Sequence, residues 1–249
     1  MRAESRVGRV PSLLVTRLLL ASASPARRAT LVSAGIDPLV AVSGVDEDAV
    51  LAAARDRFGE LDPADAVLVL AQAKVEATAH GLFDGSLEVS GSAASHGEQI
   101  LEADDECTGA ILLGCDSMLE MDGAILGKPR DAADAVARWQ AMRGRTGVLH
   151  TGHWLIDDRS VAAGGTRGTL GATSSTTVHF ANLSDAEIHA YVGTGEPLAV
   201  AGAFTIDGLG GAFITGIEGD HHGVVGLSLP LLRELLGEIG IAITDLWTA

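Results

Sequence analysis

Cysteine is nearly absent from this chain, with two in 249 residues, Cys107 and Cys115. Two thiols cannot build a disulfide framework, and no CxxC with a following HxxxH offers the four ligands of a structural zinc. A reducing, cytoplasmic setting is the expectation. Basic charge is scarce too. Lys and Arg number 17 against 33 Asp and Glu, a formal net charge of −16, so the surface as a whole repels a polyphosphate strand and no nucleic-acid polymer is expected as a partner. No uninterrupted apolar stretch reaches about 18 residues, which leaves no candidate membrane-spanning helix. GxGxxG, the Walker GxxxxGK(S/T) loop and the GxSxG elbow are also missing, which disfavours a Rossmann dehydrogenase, a P-loop enzyme and an elbow-type serine hydrolase.

What is present is globular. A hydrophobic fraction of 47% with 20% charge suffices for a real core, in one large domain or two small ones. The expectation is a flexible extension over residues 1–14 and a single catalytic domain over 15–249. Residues 1–23 imitate a signal peptide, with basic residues, two leucine clusters and Ala21-Ser22-Ala23. Arg17 breaks its apolar stretch, however, and cleavage would remove Ser22, a hydroxyl next to the start of the first helix.

Along the chain a strand at 15–21 meets Ser24-Pro25, which opens a helix that Gly35 closes. A strand at 39–42 runs into an acidic turn, Asp46-Glu47-Asp48, and Asp62-Pro63 opens a helix ending near Gly81. Residues 84–108, rich in Gly, Ser and acids, read as an insertion loop. A strand at 110–114 delivers Asp116 at its end, and a capped helix at 131–142 stops at Gly144. Strands at 148–156 and 176–180 flank a second glycine-rich insertion at 157–173. Ser184 and Glu187 form a capping box for a helix reaching Tyr191. Strands at 203–206 and 213–217 precede a helix at 229–239. Strands alternating with helices predict an α/β sheet.

Two arginines sit where charge is unfavourable. Arg27 and Arg28 fall in the first turn of the helix after Pro25, against the positive end of its dipole. A bound anion resolves the conflict: free amides, the Ser22 and Ser24 hydroxyls and guanidinium forks make a phosphate cradle. Of the 17 basic residues only Lys74 and Lys128 are lysine, so both look chosen for a compact point charge. Lys74 shares helical spacing with Val67, Leu70 and Ala77, which puts an ammonium on a buried stripe, where it needs a partner. Lys128 lies in a rigid loop between Gly127 and Pro129. Asp116 and Glu47 each follow a predicted strand, where ligands of open α/β sheets gather. Carboxylates facing a phosphate cradle call for a bridging divalent cation, magnesium before manganese. His221-His222 beside Asp220 is a weaker metal candidate, since neighbours in extended chain point apart.

Together these residues resemble the Maf family of nucleoside triphosphate pyrophosphatases. The stretch Leu20-Ala21-Ser22-Ala23-Ser24-Pro25-Ala26-Arg27-Arg28 is similar to the family's opening signature, Gly114-Cys115-Asp116-Ser117 to its central GADT element and Gly127-Lys128-Pro129 to its KP. Further on, Gly195-Glu196-Pro197, Ala201-Gly202-Ala203-Phe204 and Val224-Val225-Gly226-Leu227 resemble the family's C-terminal half. The resemblance implies a mixed twisted sheet in two lobes around a cleft, a homodimer, and metal-dependent release of pyrophosphate from a nucleoside triphosphate. It implies Asp116 as the catalytic aspartate, Glu47 with Asp116 on the metal, and Ser22, Ser24, Arg27, Lys74, Ser117 and Lys128 around the phosphates. Asp207 falls at a base-reading position. An acid there and Ala26 upstream match neither the dTTP and UTP branch, with arginine and glutamine, nor fully the 7-methyl-GTP branch, with tryptophan in place of Ala26. The base therefore stays open. The alternative reading is a non-catalytic nucleotide-binding regulator of septum formation, against which Asp116, Lys74 and Lys128 argue.

Overall fold

A computed structural model describes residues 16–91 and 108–248 of the chain. The expected N-terminal extension and most of the first insertion lie outside the described residues, as does Cys107. Among the described residues seven strands form one sheet in the order β2-β1-β3-β5-β6-β7, with β4 paired to β3. The strand β1 (Leu18–Leu20) is three buried leucines, an apolar run that suits a strand covered on both faces. It continues through α1 (Pro25–Ser33) to β2 (Leu39–Val40), and pairs in parallel with both β2 and β3 (Ile111–Met121). The rest of the sheet is antiparallel: β4 (Ala124–Leu126), β5 (Thr146–Asp157), β6 (Thr169–Phe180) and β7 (Ile214–Glu218). This is the α/β class expected.

Several boundaries differ, each for a physical reason. The acidic turn at Asp46 is instead the start of a helix, α2 (Glu47–Phe58), with Asp46 as its N-cap. Acids in a first turn complement the helix dipole, so the signal for a turn was equally one for a helix start. The short strand expected at 110–114 runs on to Met121, and Asp116 lies in mid-strand instead of beyond its end. The second insertion is shorter than expected, because residues from Thr169 onward belong to β6. Its remainder is tied down by the buried Asp157 carboxylate, which accepts from Arg159 at 2.7 and 2.9 Å and from the Thr166 amide at 2.7 Å. The strand expected at 203–206 is absent; 3₁₀ turns at Glu196–Ala199 and Ala201–Ala203 lead into irregular chain at 204–206.

The long helix α3 (Pro63–Phe83) lies on one face of the sheet at unusually close range. Gly114 of β3 and Gly152 of β5 permit this, since a Cβ on either would meet the Ala71 carbonyl oxygen at 2.2 Å or that of Val67 at 2.4 Å. The approach brings Lys74 over Asp116. On the other face α1, α6 (His221–Val225) and α7 (Leu229–Glu238) cover one end, with a core around Leu113, Leu155 and Leu232. A separate core at the far end joins α4 (Ala132–Met142) and α5 (Asp185–Gly193) around Trp139, which meets Phe180 and Tyr191 edge-on at 5.7 and 5.5 Å. These two cores are the lobes.

Candidate active site

One edge of β3 carries a gap. β5 covers its other edge throughout, while β1 pairs only with Ile111–Leu113 and β4 only with Leu119–Met121. Among the described residues no strand therefore faces 114–118 of that edge, and the notch opens into a cleft of about 460 Å³ lined by Ser22, Ser24, Arg27, Lys74, Asp116 and Lys128 among others. Where β1 stops, the chain turns into α1. Ser24 caps that helix, its Oγ accepting the Arg27 amide at 3.4 Å, and Pro25 takes the first helical position.

The two arginines part company. Arg28 swings outward to Asp37 at 3.2 Å, a solvent-exposed pair of small energetic weight. Arg27 turns into the notch and is held three ways: Nε donates to the Gly226 carbonyl at 2.8 Å, and the two terminal nitrogens donate to Ser22 Oγ and Ser117 Oγ, both at 3.1 Å. Ser22 Oγ also accepts the Ser24 amide at 3.2 Å. Its own proton remains for a ligand oxygen.

The second cluster sits on the opposite face of β3. Lys74 Nζ lies 2.8 Å from Glu47 Oε1 and makes a short contact with Asp116 Oδ1. Asp116 is only 7% exposed. Burial raises its pKa above the ordinary carboxylate range, against the opposing pull of Lys74 and Arg27. Of the three neighbouring acids only Glu47 reaches Lys74; Asp46 is occupied in accepting the Ala49 amide at 3.0 Å as the helix cap, and Asp48 points outward. Lys128 is exposed at the rim and makes no ion pair among the described residues. Its loop is pinned from behind by Arg138, which donates to the Gly127 carbonyl at 2.7 Å.

The family description Maf-like protein matches residues 17–239 of this chain. The chain belongs to the Maf family. Among its relatives, a protein of Salinispora tropica is 53% identical over 94% of this chain and 89% of its own length. One of Streptomyces avermitilis is 47% identical over 93% and 95%, and one of Mycobacterium marinum 47% identical over 94% and 98%. All three are named nucleoside triphosphate pyrophosphatase.

In this Maf chain the notch gathers Ser22, Ser24, Arg27, Glu47, Lys74, Asp116, Ser117 and Lys128 about one space. Asp207 is not brought in. It is exposed beside the cleft and accepts a short hydrogen bond from Thr205, which does line it. The far wall is formed by Val200 and Phe204 from the 3₁₀ region. Sequence reasoning missed this wall by expecting a strand there, and it missed Gly226, which acts through its carbonyl and so leaves no side-chain signal. His221 and His222 start a helix whose cap is Asp220, with its carboxylate on the His222 and Gly223 amides. No cluster of three or more His, Cys, Asp or Glu suited to a metal occurs among the described residues. The Glu47 and Asp116 carboxylates do converge on a single point, the Lys74 ammonium. Two hard oxygen donors suit a divalent cation.

Proposed function

We propose that this chain hydrolyses a nucleoside triphosphate to the monophosphate and pyrophosphate, with Asp116 as the general base. The meeting of Lys74 with both Asp116 and Glu47 at the floor of the notch carries the reading. Asp116 and Lys74 sit beside Arg27, in a chain whose charge is otherwise strongly negative. The shared name of the relatives supports it.

A water in the notch attacks the α-phosphorus and gives its proton to Asp116; the bond from that phosphorus to the bridging oxygen breaks, and pyrophosphate leaves with the electron pair. Burial makes Asp116 a better proton acceptor than an exposed carboxylate. Lys74 keeps it charged and aimed until the substrate arrives. Arg27, Lys128, the Ser22 hydroxyl and the amides at the start of α1 take up the charge that grows on the leaving group. Glu47 and Asp116 would hold a divalent cation, magnesium first and manganese second, which supplies Lewis acidity toward the phosphate oxygens when bound. Thr205 gives its proton to Asp207 and so offers lone pairs to an N–H on the base, which favours an edge such as guanine's.

Pyrophosphate release from a panel of nucleotides with magnesium tests this. Saturating turnover with at least one base is expected; saturable binding without release would establish the regulator reading instead. We further read the protein as a cytoplasmic homodimer, following the family and its buried, unpaired Cys115 thiol. Light scattering on the purified chain checks the dimer.

A further inference from the structure

Thr151 lies on β5 directly across from Ser117 and is wholly buried. Its Oγ donates to the Gly223 carbonyl at 2.8 Å and lies 2.9 Å from Ser117 Oγ. A hydroxyl carries one proton. With that proton on Gly223, the contact between the hydroxyls can only be donated by Ser117, and Ser117 then faces the Arg27 guanidinium with lone pairs alone. The other arm of Arg27 ends on the Gly226 carbonyl, the C-cap of the same short helix that contains Gly223. Two of the three holds on Arg27 thus terminate at α6, one direct and one through two hydroxyls whose direction is fixed, the third being Ser22.

We infer that Thr151 is a positioning residue for the reaction: it orders the Ser117 proton and through it the plane and reach of Arg27, without itself lining the cleft. Ser117 is accordingly a holder of Arg27 whose proton is not available to a phosphate. The inference rests on the reading of Arg27 as a phosphate ligand, and deepens it. Loss of the Thr151 hydroxyl leaves the Gly223 carbonyl with the Gly226 amide alone and takes away the acceptor of the Ser117 proton, so that the Ser117 side chain, and with it this hold on the guanidinium, is no longer fixed in direction.

A double-mutant cycle tests it. Thr151→Val keeps the shape and removes the hydroxyl; Thr151→Ser restores it. In the otherwise natural chain Thr151→Val is expected to lower kcat/KM about tenfold, the size of coupling found between groups sharing one network. In the Arg27→Ala background the same change is expected to cost little more, and Thr151→Ser should recover most of the activity. Thermal melting of each variant separates this from unfolding, and Ser117→Ala, which removes the middle of the relay, is expected to show the same coupling if Thr151→Val fails to fold. An equal cost of Thr151→Val in both backgrounds, or failure of Thr151→Ser to rescue, overturns the relay while leaving Arg27 its role. An Arg27→Ala variant that turns over normally overturns the phosphate role of Arg27, and the relay with it.

Discussion

At the phosphate end of the cleft Arg27 and Lys74 point inward and each is held by other polar groups; at the far end Glu196 and Asp207 point away and leave Thr205 to face the cleft. Arg27 has three acceptors and Lys74 two carboxylates. The far wall presents Val200 and Phe204, and its shape is set from behind. There Glu196 accepts the Tyr191 hydroxyl and the Leu209 and Gly210 amides, all at 2.9 Å, which clamps the segment carrying Thr205 and Asp207 against α5. Burial would raise the Glu196 pKa, but these three donors outweigh it and hold the carboxyl below its usual range. The contrast separates two tasks. Charge developed in a reaction needs donors fixed in advance, whereas a base can be recognised by a wall whose position, more than its charge, is controlled.

The largest expected effect is at the phosphate end. Asp116→Asn keeps the shape of the floor and removes the proton acceptor, so kcat should fall about 10³-fold or more while nucleotide affinity changes a few-fold at most. Full turnover by this variant would remove Asp116 from the chemistry and erase the contrast. Behind the same end lies His153, wholly buried, whose Nδ1 donates to the Thr151 carbonyl at 3.0 Å and whose Nε2 accepts the Ser228 amide at 2.8 Å. That pairing requires the neutral ring. Burial lowers its pKa from 6.5 to about 4, so between these values the unfolded chain binds a proton that the folded chain refuses. The stability it contributes is complete above pH 6.5 and is lost as pH falls toward 4, by about 3 kcal/mol in all. Asp116, with a raised pKa, acts in the opposite sense. Urea midpoints of the natural chain and His153→Gln at pH 7 and pH 5 isolate the histidine, because Asp116 is common to both. The pH slope should flatten in the variant, and equal slopes would show that His153 titrates normally.

Lys74→Arg is expected to cost about 10²-fold in kcat, since a planar fork cannot occupy the single point that Glu47 and Asp116 share. Steady-state kinetics checks this, and a harmless replacement would mean that only charge matters there. This lysine also shows what the sequence made legible. Its rarity and its helical spacing marked it, as the cap and proline marked the start of α1, because both are local signals. Asp116 was found in type but misplaced along its strand, since β3 runs on past Gly114 by pairing with β5, a segment distant in sequence. The far wall was illegible for the same reason. A Cβ on Gly210 would meet the Tyr191 hydroxyl at 2.4 Å. That glycine serves the packing of the loop on α5, a contact between segments that no spacing rule encodes.

The smallest expected effect probes that wall directly. Glu196→Gln keeps the size of the side chain but gives one of its three donors an amide N–H to face. The segment 205–210 should relax, so KM rises about fivefold and the ratio of activities toward two different bases narrows, with kcat within about twofold of the natural chain. Such a split, a binding effect here against a rate effect at Asp116, is what two separately built ends require. A fall in kcat with KM and base preference unchanged would instead mean that the far wall is part of the same rigid frame as the notch. Glu196 would then be supporting the chemistry, and recognition of the base would have to be sought nearer the rim, at Val42.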